Sequence, residues 1–348
     1  MDLISILILL SKILFIIFGV LVFGAALAVL AERRVSAFIQ ERYGPNRVGP
    51  GGFLQPFADV AKLVMKEDII PAKAHRLIHG LAPIISITVA LSTFAIIPFG
   101  NSIEVFGRHI KFIIADVDIG ILYLLALTSI GVYGVTLAGW SSNSKYSLLG
   151  GLRSSAQLIS YELSMGLSLL GVIMISGTLR LDQIVLQQTQ YIWGIIPKWN
   201  ILLQPLGFIT FLIAAFAETN RLPFDLAEAE QELVGGYHTE YSGMKFGLFF
   251  LAEYANVITS SAVTVTLFLG GWHLPFIEQG GLSATLLSLL QVLTFLVKVV
   301  LMVLFFIIVR WTIPRFRYDQ LMRIGWKVML PIAIANFIIT GIVLLFLV

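Results

Sequence analysis

Residues 3–30 read LISILILLSKILFIIFGVLVFGAALAVL, an apolar run in which Lys12 is the one charge. About 20 such residues cross a bilayer core as an α-helix. In hydrocarbon only a helix or a closed barrel satisfies every backbone N–H and C=O. The run is too long for the apolar core of a signal peptide and ends without a small-residue cleavage pattern, so it reads as a retained first span. The rest of the chain has the same character, being 58% hydrophobic and 12% charged, with a mean hydropathy of +0.92. Further apolar runs near 77–99, 119–140, 155–176, 201–217, 246–270, 284–309 and 328–348 predict eight transmembrane helices. With no internal repeat, low-complexity tract or long linker, residues 1–348 read as a single integral-membrane helical domain of an all-α polytopic protein.

Cysteine is absent, which excludes disulfides, Cys-ligated iron–sulfur clusters and thiolate zinc sites. Any redox centre therefore belongs to a partner. The net charge of +3 does not point to nucleic acid, because the basic residues follow the spans instead of forming a stripe. The odd-numbered loops carry 17 Lys and Arg and the even-numbered loops four. By the positive-inside rule the odd loops are cytoplasmic and both termini lie on the outer, periplasmic side.

The first cytoplasmic loop carries Ala31-Glu32-Arg33-Arg34 and then Glu41-Arg42-Tyr43-Gly44-Pro45-Asn46-Arg47-Val48-Gly49-Pro50. Its turn formers, interleaved with Tyr43 and arginines, suit an ordered contact surface better than a flexible linker. Next, Phe53, Phe57, Val60, Ala61 and Val64 fall on one helical face and Gln55, Asp59, Lys62 and Lys66 on the other. That pattern predicts a short amphipathic helix lying in the membrane interface. His75 and His79 have the spacing of a helical metal pair, but no third ligand is near, and interfacial histidines are the better reading.

Residues 218–232, ETNRLPFDLAEAEQE, set Glu218, Asp225, Glu228, Glu230, Glu232 and Arg221 directly after a span. Mutual repulsion among close acids favours partial protonation, so such a cluster can take up and release protons. Inside the spans stand Lys12, Glu162, Glu253 and Lys298. A charge there is costly unless paired or facing a wet cavity, which makes each a functional candidate. Lys12 is close enough to a helix end to snorkel. Lys298 needs a counter-charge, for which Glu162 or Glu253 is the natural partner, and Asp116 and Asp118 read as solvated caps.

The two loop motifs, Glu41–Pro50 after Ala31–Arg34 and Ala217-Glu218-Thr219-Asn220-Arg221-Leu222-Pro223-Phe224-Asp225, resemble those of the complex I subunit 1 family, a membrane component of NADH-quinone oxidoreductase. The resemblance covers essentially the whole chain. It implies a membrane subunit of a proton-pumping NADH:quinone reductase in a bacterial inner membrane, with ubiquinone as substrate and no cofactor bound by this chain alone. It further implies peripheral-arm and small membrane subunits as partners, alongside the lipid bilayer and no nucleic acid. Carried onto this sequence, it favours Glu162, Glu218, Glu228, Glu230 and Glu253 as proton-coupling residues. It favours Arg33, Arg34, Phe53, Phe57, Asp59, Arg221, Phe224 and Asp225 for the quinone chamber, with no catalytic residue and no metal ligand of its own. A component of a related membrane-bound hydrogenase or quinone-linked dehydrogenase is the near alternative. An autonomous proton-coupled transporter fits the intramembrane charges, but the repeated halves usual in that class are not visible.

Overall fold

The computed structural model describes residues 3–105, 108–192, 194, 196–226, 233–275 and 283–347. Glu228, Glu230 and Glu232 lie outside the described residues. Among the described residues the architecture is helical, apart from two small antiparallel hairpins: β1 (Ser102–Val105) with β2 (Arg108–Lys111), and β3 (Tyr191–Ile192) with β4 (Ile196–Pro197). Seven helices among these residues are long and apolar enough to cross a membrane. With the amphipathic helix, one short helix and one shorter apolar helix, they are numbered in chain order. They are α1 (Ile4–Ile39), α3 (Arg76–Thr93), α4 (Gly120–Ser141), α5 (Lys145–Ser176), α8 (Gly243–Phe268), α9 (Ala284–Thr312) and α10 (Tyr318–Phe346). The amphipathic helix is α2 (Gln55–Met65), the short helix α6 (Leu181–Gln188), and the shorter apolar helix α7 (Pro205–Glu218).

The fifth expected span is a broken helix. A single turn, Asn200–Leu203, precedes Gln204, whose φ of −134° and ψ of 58° are non-helical, and α7 begins at Pro205. Proline lacks the N–H that continues a helix and disfavours α geometry in the residue before it, so the break falls where the sequence requires it. The backbone at the break stays paired, Gln204 N–H donating to Asn200 O at 2.8 Å and Phe208 N–H to Gln204 O at 2.9 Å, while the Gln204 side chain donates to Thr340 Oγ1 at 2.6 Å and accepts from Asn336 Nδ2 at 3.0 Å. At the other end of the bundle α1 runs nine residues past the expected limit at Leu30, to Ile39. No Gly or Pro intervenes in residues 31–39, so Glu32, Arg33 and Arg34 stand on helix, not loop.

Packing centres on α8, which lies against α1, α3 and α9. Two-thirds of its span is buried (67%), against 22% for α9 and α10, so groups on α8 are the ones shielded from lipid. Small residues set the closest approach. A Cβ on Gly139 of α4 would meet Gly151 Cα of α5 at 3.1 Å, the close contact of small residues that drives helix association where the hydrophobic effect is absent.

The first loop is ordered, as its composition predicts. Arg34 donates to Gly51 O at 2.6 Å and Leu54 N to Val48 O at 3.2 Å. Gly52 has a φ of 75°, and a Cβ there would lie 2.0 Å from Pro45 O. The helix α2 forms with the predicted faces. Phe57, Val60 and Val64 are exposed, while Asp59 pairs with Arg33 at 2.6 Å.

Three expectations for single residues are corrected. Lys298 has no carboxylate partner among the described residues; its ammonium donates to Leu269, Gly271 and His273 carbonyls at 2.9, 3.0 and 2.9 Å and stands over Trp199. These carbonyls close the end of α8, where a helix carries partial negative charge. His79 is fully buried, stacked on Tyr241 at 3.9 Å, and is not interfacial; His75 caps α3. Asp116 is no free cap but joins Lys111 and Arg180, each at 2.6 Å, with Asp118 and Asp182 on the same guanidinium. These carboxylates hold the Arg180 pKa above its usual value. Lys12 reaches the Lys111 carbonyl at 2.7 Å, which fixes the first helix to the β1–β2 hairpin.

Candidate functional site

Four charged side chains from four distant segments meet beneath the loop that follows α7. Glu32 projects from α1 and is 7% exposed. It accepts from Arg221 Nη1 at 3.1 Å, from Tyr254 Oη at 2.7 Å and from Arg310 of α9. Arg221 also pairs through Nε with Glu253 of α8 at 2.9 Å, and its guanidinium lies 4.2 Å from the Tyr254 ring centre. Two arginines thus face two glutamates, a balance that buried charge requires. Burial opposes the Arg221 charge, but Glu253, Tyr254 and Glu32 outweigh it and hold its pKa well above the ordinary guanidinium value.

The loop itself is pinned from both sides. Asp225, buried with 4% of its surface exposed, pairs with Arg315 at 2.7 Å, just beyond the end of α9. Phe224 sits between Tyr161 and Phe316, with ring centres 5.3 and 5.6 Å away. Gln157 of α5 donates to the carbonyls of Ala217 and Phe224 at 2.7 Å each, which ties the loop to the helix that carries Glu162.

Behind this cluster lies a cavity of about 90 Å³ between α3, α4, α5, α7 and α8. Glu218, Glu253, Asn256, Thr128, Thr259 and Ser260 supply its polar lining. Its size and polar groups suit several waters, each of which needs two to four partners. The Thr259 hydroxyl is buried without a protein partner among the described residues, as water would require. Glu218, the last residue of α7, is bonded by Thr128 and senses the charge of Glu162. Glu162 in turn accepts a hydrogen bond from Ser129, the next residue along α4.

Of the residues expected to act together, the fold sets Glu218 and Glu253 on the wall of one cavity, with Arg221 paired to Glu253 and Glu162 held by Ser129 of α4. Phe224 and Asp225 are brought to the loop above that cavity. Arg33, Arg34, Phe53, Phe57 and Asp59 form a separate group around α2, where Phe57 approaches Phe23 of α1 with ring centres 6.5 Å apart. Glu32, Arg310, Arg315, Tyr254 and Ser129 were not singled out from sequence. Glu32 and Arg310 read as charges at the ends of spans, where positive-inside arginines are ordinary. The available signal was the unbroken helical stretch through residue 39, which keeps Glu32 within the bundle.

A family model described as NADH dehydrogenase matches residues 11–341. The chain is 56% identical to NADH-quinone oxidoreductase subunit 8 of Rhodothermus marinus, over 94% of this chain and 95% of that protein. It is 54% identical to an NADH-quinone oxidoreductase subunit of Salinibacter ruber, over 93% of each. With an NADH-quinone oxidoreductase subunit of Flavobacterium psychrophilum it shares 46% identity over 96% of each chain.

Proposed function

The chain belongs to the NADH dehydrogenase family, and from that premise we propose that it is the membrane subunit of a proton-pumping NADH:quinone oxidoreductase that links quinone reduction to proton movement. One observation carries the coupling: Glu253 is shared. The same carboxylate pairs with Arg221 on the loop side and lines the acid-walled cavity on the membrane side. A change of charge near the loop, such as quinone taking up electrons and protons, alters the Arg221–Glu253 attraction. Glu253 then exchanges a proton with the cavity, where Glu218 and, through the Thr128–Ser129 segment, Glu162 stand next.

The division of labour follows from composition. With no cysteine, the chain supplies no ligands for a Cys-bound cluster, and electrons arrive through partner subunits. Its own contribution is the wall and the charges. Arg33, Arg34, Asp59 and the aromatic face of α2 with Phe53 and Phe57 suit a polar headgroup and an isoprenoid tail. Arg221, Phe224 and Asp225 face the loop end, and ubiquinone is the substrate in this reading. Peripheral-arm and small membrane subunits complete the chamber and the onward proton path, in a bacterial inner membrane with both termini periplasmic.

The test separates chemistry from coupling. In the assembled complex, Glu218→Gln is expected to retain NADH oxidation with quinone while proton uptake into vesicles per NADH falls. Unchanged pumping with normal assembly refutes the role of Glu218.

A further inference from the structure

At the opposite end of the broken fifth helix from Glu218, a second pocket of about 260 Å³ is lined by Ile175, Gln187, Gln188, Gln190, Lys198 and Asn200. Asn200 and Glu218 are separated by roughly 25 Å of helix, so this site lies far from the acid-lined cavity. Its back wall is rigid. Gln188 is 1% exposed, donates to Thr266 O at 3.0 Å and accepts from the N–H groups of Asn200 and Gly270 at 3.3 and 3.0 Å. Asn200 donates to Leu267 O at 2.7 Å, and Gln187 to Ser176 O at 2.7 Å.

The front of the pocket is different. Lys198 has no ion-pair partner among the described residues, and the Gln190 amide makes no side-chain hydrogen bond there. Among those residues no carboxylate lines the pocket; the nearest acid along the chain, Asp182, is held by Arg180 at 2.9 Å. The lining therefore offers an ammonium with three donors, an amide without a side-chain bond and the second N–H of Gln187, with no carboxylate among the described residues. Directly after it, Leu202, just before the break at Gln204, is 56% exposed, and Leu206 and Ile209, three residues apart on one face of α7, are 47% and 51% exposed, so apolar side chains follow the pocket on both sides of the break.

We propose that this pocket holds the phosphate of an anionic phospholipid, with Lys198 and Gln190 on the phosphodiester and Leu202, Leu206 and Ile209 against an acyl chain. The chemistry is that of a phosphate on a point-charge donor, and the pocket sits at the outer end of the fifth expected span, the place on a spanning helix where lipid headgroups meet it. The assignment is independent of the coupling role, and its failure leaves that role untouched.

The test uses the assembled complex, purified in mild detergent and exchanged into nanodiscs of phosphatidylcholine with a minor fraction of phosphatidylglycerol. Lipid retained after washing is measured by native mass spectrometry. Wild-type complex is expected to keep phosphatidylglycerol that Lys198→Gln and Gln190→Glu lose, while Lys73→Gln, at the other end of the bundle, keeps it. Gln190→Glu, at an exposed position, serves if Lys198→Gln fails to assemble. Equal phosphatidylglycerol in wild type and variants overturns the proposal. So does loss of a partner polypeptide in place of lipid. Binding of inorganic phosphate alone, dependent on Lys198 but without lipid retention, assigns the site to a free anion and overturns the lipid reading.

Discussion

Replacing Arg221 by Gln removes one of two cations from a cluster in which Glu32 and Glu253 are the anions. The two glutamates are affected unequally. Glu32 keeps Arg310 and the Tyr254 hydroxyl at 2.7 Å, whereas Glu253 loses its one ion-pair partner among the described residues, which stood at 2.9 Å. Breaking a buried pair from one side costs about 3–5 kcal/mol, because a charge is left without compensation. The cost here falls mainly on Glu253. Arg221→Gln/Glu253→Gln removes both members and is expected to cost only about 1–2 kcal/mol, the lost stacking on Tyr254 and packing. A double-mutant cycle on the assembled complex, read as the fraction surviving graded heating in detergent, should therefore show a coupling of about 2–3 kcal/mol. By the same logic Arg310→Gln should cost less than Arg221→Gln, since Glu32 retains Arg221. If the double variant is as unstable as the sum of the singles, or Arg310→Gln proves the worse of the two, the charge accounting is wrong.

Lys298→Met should free three carbonyls at the end of α8 that are now bonded at 2.9–3.0 Å, at a cost of about 3 kcal/mol; faster hydrogen exchange through residues 265–273 is the check, and unchanged protection refutes it. His238, packed against Tyr237 and Phe246, has its pKa pushed down to about 4 by burial. Its neutral form is favoured by folding, so its contribution is complete above the unfolded value of about 6.5 and declines as pH falls toward 4. At pH 5.5 the penalty is about 1.4 kcal/mol, and exchange in residues 233–241 should rise between pH 7.5 and 5.5 in the wild type but much less in His238→Phe.

Much of the site was legible because membrane sequence is a sparse code. In a chain with 12% charge, an ionisable group within an apolar run stands out, as Glu162 and Glu253 do, and so does a dense charged stretch directly after a span, which singled out Glu218 and Arg221. What could not be read was who pairs with whom. Lys298 illustrates the difficulty: a buried cation asks for a partner, and a carboxylate is the obvious one. The fold instead offers the carbonyl end of α8, delivered by the turn at Leu269–His273. Glu32 illustrates the converse. Its neighbours Arg33 and Arg34 made it look like part of a cytoplasmic charge cluster, yet 7% exposure and three donors place it at the centre of the site.

The sequence by itself determined the helical membrane class, the approximate spans, the amphipathic helix and the charged stretch that follows the fifth expected span. Those properties rest on local hydrophobicity and period, which need no knowledge of neighbours. Tertiary structure alone decided that residues 32, 221, 253 and 310 form one ion cluster and that Glu253 also faces a cavity with Glu218. It also decided that the fifth expected span is broken at Gln204, whose side chain joins Asn336 and Thr340 in a buried polar trio. Those are contacts between segments far apart in the chain. Their energies depend on distance and burial, which a linear chain does not specify until its helices are packed.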